Sequence, residues 1–211
     1  MVERNTKKRI LKAAGTLANE RGFGNLPLQS IADEVGMSSG NLAYHFRNKE
    51  AIALGLQSEI EESLQEVLKT YRILPNLLDF DQQLQKWYFF LEEYPFYFRD
   101  LAEFDRLLPE TKALRQSWVD KIIQQFHQRL LFNAQRGIFL QEESPGAYQQ
   151  LSICIWAQVL AWPGLCQTKA VQPDSAAFKS LIWRILTSLL TKEGLVEYNM
   201  LILPVLSKPS N

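Results

Sequence analysis

The fold is decided by Leu28-Gln29-Ser30-Ile31-Ala32-Asp33-Glu34-Val35-Gly36-Met37-Ser38-Ser39-Gly40-Asn41-Leu42-Ala43-Tyr44-His45-Phe46. Leu28, Ile31, Ala32 and Val35 recur at helical spacing, and Gly36 follows, a residue able to take the left-handed conformation that a sharp turn needs. Ser38 then offers a side-chain cap to a second short helix whose inward residues are Leu42 and Phe46. Two helices too short to stand alone, joined by a tight glycine turn, have the sequence shape of a helix-turn-helix. Ala32 is small enough for a close helix crossing, and Met37 is placed to plug the turn.

Working outward, Thr6 is an N-cap for a helix over 6–21 that carries Ile10, Ala13, Ala14, Leu17 and Ala18 and is closed by Gly22. Downstream, Asn48 caps a long fourth helix at about 49–72, with Leu56, Ile60, Leu64, Val67, Leu68 and Tyr71 on its apolar side and Pro75 as its stop. Some twenty residues at 1.5 Å each reach ~30 Å, enough to join a head to a separate body. Beyond it, Phe80, Leu84, Trp87, Tyr88 and Leu91 mark a fifth helix broken at Pro95, and a sixth runs from about Phe96 to Leu108. After Pro109 a long helix with Leu114, Trp118, Ile122, Phe126 and Leu130 closes near Gly137. Ser144-Pro145 reads as a cap with proline at the first helical position, opening a segment that stops at Pro163-Gly164. Gln167 to Pro173 is the longest loop expected, and Asp174 caps a last strong helix bearing one stripe from Phe178 to Leu190. Strand-like alternation is missing throughout, so the expected fold is all-α: an N-terminal three-helix domain over 1–50, then a larger helical domain over 51–211.

The totals exclude more than they assign. A chain of 211 residues with 46% hydrophobic content has ample material for a core, and its formal net charge is zero. Residues 1–50 hold eight Lys or Arg against five Asp or Glu, a modest excess compatible with a DNA-facing head. Cys154 and Cys166 lack metal-ligand spacing and are read as reduced core thiols. The charged N-terminus and the shortness of every apolar run point to a cytoplasmic protein without a membrane span. With His45 and His127 the sole histidines, and without a glycine-rich phosphate loop, a metal-ligand cluster or a nucleophile–base pair, catalysis and a cofactor are not expected.

The first fifty residues resemble the DNA-binding domain of the TetR family of bacterial transcriptional regulators. The matching positions are Ile10-Leu11-Lys12-Ala13-Ala14, Gly22, Ile31-Ala32, Val35-Gly36-Met37-Ser38, Gly40-Asn41-Leu42, His45-Phe46 and Asn48-Lys49-Glu50. The resemblance implies a DNA-binding homodimer on a palindromic operator, with a helical body that binds an effector and pairs through its last two long helices. The residue chemistry points the same way. Asn41 has the amide that pairs with an adenine edge, and Gly40 lets the backbone approach the bases. Ser39 adds a donor or acceptor, Tyr44 a ring or hydroxyl, and Gln29 stands where the preceding helix of the family touches DNA. Lys49 and Arg47 are phosphate candidates, and His45 is either a DNA contact or half-buried and bonded locally. Two positions depart from the family pattern: Ala43 stands where an aromatic residue usually meets the phosphate backbone, and Pro27 replaces a capping Ser or Thr.

In the body, Trp87, Phe90, Tyr94 and Phe98 are candidates for one wall of an apolar effector pocket, with Trp118, Phe126 and Trp156 opposite. The plainer reading of each is core. The resemblance places the dimer interface at Leu151, Ile155, Phe178, Leu181, Ile182, Ile185 and Leu189. The expected function is therefore a ligand-responsive repressor taking a hydrophobic or aromatic small molecule. The rival is a helical ligand- or partner-binding protein whose head has lost DNA affinity.

Overall fold

Apolar residues three and four apart recur through nearly the whole chain. In the computed structural model, which describes residues 2–69 and 76–207, they give twelve α-helices and two short 3-10 helices. The α-helices are α1 (Val2–Arg21), α2 (Leu28–Val35), α3 (Ser39–His45), α4 (Lys49–Leu68), α5 (Leu77–Glu93), α6 (Pro95–Arg99) and α7 (Leu101–Leu107). They continue as α8 (Lys112–Gln135), α9 (Ala147–Lys169), α10 (Ser175–Leu186), α11 (Lys192–Leu201) and α12 (Leu203–Leu206), with 3-10 turns at Pro109–Thr111 and Thr187–Leu189. Among the described residues the one strand-like pairing is an isolated antiparallel bridge between Phe139 and Leu190. None of these helices is long and apolar enough to cross a membrane.

The chain divides into two compact units, one of Met1–Gln65 with Glu93–Arg115 and the other of Glu66–Glu92 with Gln116–Asn211. Helices α4, α5 and α8 each contribute residues to both. In the first unit, Ile10, Ala14, Leu17, Ala18, Phe23, Leu26, Ile31, Ala32, Leu42, Ile52 and Leu56 are buried. Phe23 and Phe104 lie 5.1 Å apart, and Phe96 stands 6.0 Å from Phe104, tying α6 and α7 to the end of α1.

Polar stitches finish that junction. The backbone N–H of Phe23 donates to Asp100 Oδ2 at 2.7 Å, and Arg99 Nη2 donates to the carbonyl of Ala18 at 2.6 Å. Asn19 accepts from the N–H of Phe96 at 3.2 Å and donates to the carbonyl of Glu93 at 3.3 Å. The Ala18 carbonyl already accepts from the N–H of Gly22, whereas Arg99 Nη1 also donates to the carbonyl of Asn19 at 3.3 Å, one that the end of α1 leaves open. These demands break the expected single helix over 96–108 at Asp100, whose backbone leaves helical geometry so that its carboxylate reaches Phe23.

The second unit fixes its helices with buried ion pairs. Arg129 Nη2 meets Asp79 Oδ2 at 3.0 Å, with side chains 0% and 4% exposed. Asp81 accepts from Lys179 at 2.8 Å and from the Trp183 indole at 2.9 Å. At the end of α4, the carbonyls of Val67 and Leu68 accept from Gln83 and Gln125 at 3.1 and 2.9 Å.

Several boundaries depart from expectation. Helix α1 already runs from Val2, so Thr6 lies inside it; Val2–Asn5 contain no breaker to hold its start at Thr6. Ser144-Pro145 forms a turn before the helix, and α9 starts after Gly146, whose φ is +86°. Helix α9 then runs through Pro163 to Lys169, because Trp162 and Cys166 are buried on one face across it and packing outweighs the lost hydrogen bond. The loop expected from Gln167 accordingly starts at Ala170. The stripe from Phe178 to Leu190 is not one helix: it tightens to 3-10 geometry at Thr187 and turns extended at Leu190, which pairs with Phe139. Helices α11 and α12 follow it, beyond the last strong helix that the sequence marks. Cys154 is exposed and not a core thiol, because it lies on the outer side of α9, whereas Cys166 is buried and both are free. Tyr71 and Pro75, expected at the end of α4, lie outside the described residues.

Candidate nucleic-acid interface

The turn between α2 and α3 is made by local chemistry. Gly36 sits at φ +72°, ψ +42°, and its N–H and that of Met37 donate to the carbonyls of Asp33 and Ala32, at 3.1 and 2.9 Å. This closes α2 in the way a left-handed glycine closes a helix. Ser38 caps α3 by accepting from the N–H of Asn41 at 3.2 Å. Leu42 and Phe46 turn inward, 1% and 8% exposed. Asn48 caps α4, accepting from Ala51 N–H at 3.0 Å. Gly55 lets α4 come close: a Cβ there would stand 2.7 Å from a Leu11 methyl and 3.3 Å from the Phe46 ring.

With those residues turned inward, the opposite side of α3 is presented outward. Ser39, Gly40, Asn41, Ala43 and Tyr44 are exposed, Tyr44 at 77%, and so are Gln29 on α2 and Arg47 after α3. A Cβ on Gly40 would meet nothing nearer than the Ser38 hydroxyl at 4.0 Å, so its outer side is open to a close approach. His45 is half-buried, edge-on to Tyr44 at 5.2 Å, and its enclosed Nδ1 has no hydrogen-bond partner among the described residues.

Lys49 is tied back rather than extended. Its ammonium donates to the carbonyl of Gly24 at 2.6 Å and stands 5.2 Å above the Phe23 ring. Two further ammonium protons stay available to a phosphate oxygen. Nearby, the hydrogen-bonded Arg106 guanidinium holds the Glu103 carboxyl below its usual range, and Lys49 adds to that attraction. Pro27 makes no side-chain cap bond at the start of α2.

Two contributors escaped the sequence reading. Arg9 donates from Nη2 to the carbonyl of Val35 at 3.2 Å, steadying the end of α2 from α1. Asp33 accepts from Gln29 Nε2 at 2.6 Å, while the Ser39 hydroxyl donates to Gln29 Oε1. The four-residue spacing of Gln29 and Asp33 on one helix face was a readable signal. The bond from Ser39 crosses the turn and was not.

The pocket candidates divide between the two units. Tyr94 and Phe98 belong to the first, and Trp87, Phe90, Trp118, Phe126 and Trp156 to the second. Trp87 lies 5.7 Å from Phe90 and 5.2 Å from Trp156, and Phe126 packs 6.0 Å from Phe80. The Trp118 indole carries Lys121 at 4.4 Å over its ring. A further cluster, not foreseen, joins Tyr88, Trp162 and Phe178, with Phe178 6.0 and 5.5 Å from the other two. Burial, and then the adjacent Glu92 carboxylate, push the Tyr88 hydroxyl up to about 12. Burial also raises Glu92, against a hydrogen bond from Tyr88 that lowers it. Burial raises the Cys166 thiol as well, with Glu92 adding to it. Among the described residues no group of three or more His, Cys, Asp or Glu is placed to hold a metal ion.

Of the interface candidates, Ile155, Phe178 and Ile182 are buried at 0%, 1% and 1%, so they pack inside their own chain rather than on an outer face. Leu181 is 44% exposed, while Leu151, Ile185 and Leu189 are half-buried. The outer side of α9 adds Ile153, Leu160 and Leu165, each at least 38% exposed.

Residues 10–56 match the family model of the bacterial regulatory proteins of the tetR family. The whole chain has the fold of several solved structures. A TetR-family transcriptional regulator from Marinobacter aquaeolei VT8 superposes with a TM-score of 0.80 at 24% identity, over 89% of this chain and 92% of that one. A gamma-butyrolactone receptor described as ArpA-like gives 0.72 at 16% identity, over 98% of each chain. A regulator from Saccharomonospora viridis in complex with choline gives 0.68 at 17% identity, over 90% and 100%. No curated protein matches the chain by sequence.

Proposed function

From a chain whose N-terminal domain belongs to the tetR family of bacterial regulatory proteins, and which is thereby a helix-turn-helix DNA-binding regulator, we propose a homodimeric, ligand-responsive repressor of the cytoplasm that reads a palindromic operator. The observation that carries this reading is α3: a short helix whose apolar side is buried and whose outer side offers Ser39, Gly40, Asn41 and Tyr44. Such a helix fits the major groove, with Asn41 pairing to an adenine edge and Arg47 and Lys49 neutralising phosphates. Two copies on one duplex place their recognition helices about 34 Å apart. Functionally we draw the head at about residues 1–50 and the effector-binding and pairing body at 51–211, joined by α4.

The exposed apolar residues of α9 and α10, Ile153, Leu160, Leu165 and Leu181, support pairing of two chains through these helices. The aromatics of the second unit support an effector that is apolar or aromatic, and similar folds include a gamma-butyrolactone receptor and a choline complex. Effector binding in the body reaches the head through helices that contribute to both units, α4 first among them. Linkage then requires DNA to weaken the effector by the same factor that the effector weakens DNA.

The test is a mobility shift on the duplex upstream of the protein's own gene against random duplex at physiological salt. Binding at least a hundredfold tighter on the upstream duplex is the expected result. Equal binding on both removes the operator reading and favours the rival of a helical ligand- or partner-binding protein, for which Ala43 and the uncapped Pro27 speak.

A further inference from the structure

Three exposed side chains on the DNA-facing side of the helix-turn-helix form a directional chain. Gln29 on α2 donates from Nε2 to Asp33 Oδ1 at 2.6 Å, and Ser39, the first residue of α3, donates from its hydroxyl to Gln29 Oε1. The direction follows from the carboxylate. A carboxylate only accepts, so Asp33 draws the NH₂ end of the Gln29 amide towards itself. The opposite amide orientation would set Gln29 Oε1 against Asp33 Oδ1, two acceptors without a proton between them. With the amide fixed, its oxygen faces Ser39, and the single hydroxyl proton of Ser39 is committed to that oxygen.

We propose that Asp33, acting through Gln29, makes Ser39 a pure hydrogen-bond acceptor towards DNA, and so selects adenine or cytosine at one position of each half-site. A serine hydroxyl ordinarily accepts or donates and tolerates any base edge. Once its proton is spent, it presents lone pairs alone. In the major groove the matching donors are the exocyclic amines of adenine N6 and cytosine N4, whereas guanine O6 and N7 and thymine O4 are acceptors and face it with repulsion. Ser38 does not share this restriction, because accepting from the N–H of Asn41 does not spend its own proton. Asp33 is a positioning residue: it need not touch DNA, and its charge there opposes binding to every sequence alike. The inference rests on the DNA-binding reading and adds a base preference to it.

The experiment is selection from a randomised duplex library with the full-length protein, its Ser39→Ala variant and its Asp33→Asn variant, followed by sequencing and by melting curves of all three. The parent enriches a palindrome in which one position per half-site favours A or C over G or T by about tenfold. Ser39→Ala flattens that position alone. Asp33→Asn is close in shape but can turn either its NH₂ or its oxygen towards Gln29, so the Gln29 amide is no longer held one way, Ser39 regains the freedom to donate, and the same position flattens while the others keep their preference. Removal of charge by itself predicts a different result, a uniform gain in affinity with unchanged base preferences, and that result overturns the proposal. It is equally overturned if the position that Ser39→Ala flattens favours G or T in the parent. A parent that enriches no motif removes the DNA-binding reading and this inference with it, whereas a motif indifferent to both variants removes the inference alone.

Discussion

The two units handle their polar side chains in opposite ways. In the second, Asp79, Asp81, Arg129 and Lys179 are each no more than 4% exposed, and Arg129 pairs with Asp79 and Lys179 with Asp81 inside the core. In the first, Gln29, Asp33 and Ser39 hold one another in full contact with water. Buried charges are expensive to strand, so the ion pairs fix which helix faces meet and leave no cheap alternative packing. The exposed chain adds little to the stability of the fold, and the lone pairs it leaves open can exchange water for a nucleic-acid partner. One region spends its polarity on defining its own shape, and the other keeps it available to a ligand.

The contrast is broken or sharpened by substitution. Asp81→Ala strands Lys179 and frees the Trp183 indole in the core, so unfolding free energy falls by about 3–5 kcal/mol in urea titration. A loss below about 1 kcal/mol would mean that water reaches this pair and that the two units do not differ. Ser38→Ala removes the cap of α3 and costs about 1 kcal/mol by the same titration, with DNA affinity falling further because the recognition helix frays.

Glu59 is the intermediate case, a half-buried carboxyl on α4 whose pKa is raised by burial, by Glu62 and by Glu93, against a lowering by Lys8. A folded-state pKa above the unfolded one means that ionisation costs stability. The cost is in full above the folded pKa and vanishes once both states are protonated. Glu59→Gln therefore raises the melting temperature at pH 7, and the gain shrinks as pH falls towards the ordinary 4.5. A gain that stays constant with pH would assign the effect to packing instead. Smallest of all, Asp33→Asn shifts unfolding free energy by no more than about 0.5 kcal/mol, since the bond it alters lies in water. A larger loss would show that the Gln29 chain holds the head together.

The head was legible in the sequence because its devices are local. Gly36, Ser38 and Asn48 act on backbone groups within four residues of themselves, and each takes its expected role at the turn, the α3 cap and the α4 cap. The outward face of α3 followed, since burying Leu42 and Phe46 leaves Ser39, Asn41 and Tyr44 no other side. The body was less legible for the same reason turned around. Pro163 is a helix breaker by local rules, yet the buried neighbours Trp162 and Cys166 carry α9 through it. Asp100 has no local reason to interrupt a helix and does so to reach the N–H of Phe23, 77 residues away in sequence.

By itself, then, the sequence determined an all-helical chain with a helix-turn-helix at its start, because helical periodicity and end caps are properties of short stretches of backbone. Tertiary structure alone decided three further matters. It assigned residues 93–115 to the same compact unit as the head, through Asn19, Arg99 and Asp100. It separated the interface candidates into core, at Ile155, Phe178 and Ile182, and surface, at Leu181. It also gave the Ser39 hydroxyl its direction, from a carboxylate on the neighbouring helix. Each depends on groups brought together from separate elements, where distance and burial, and not residue type, set which contact wins.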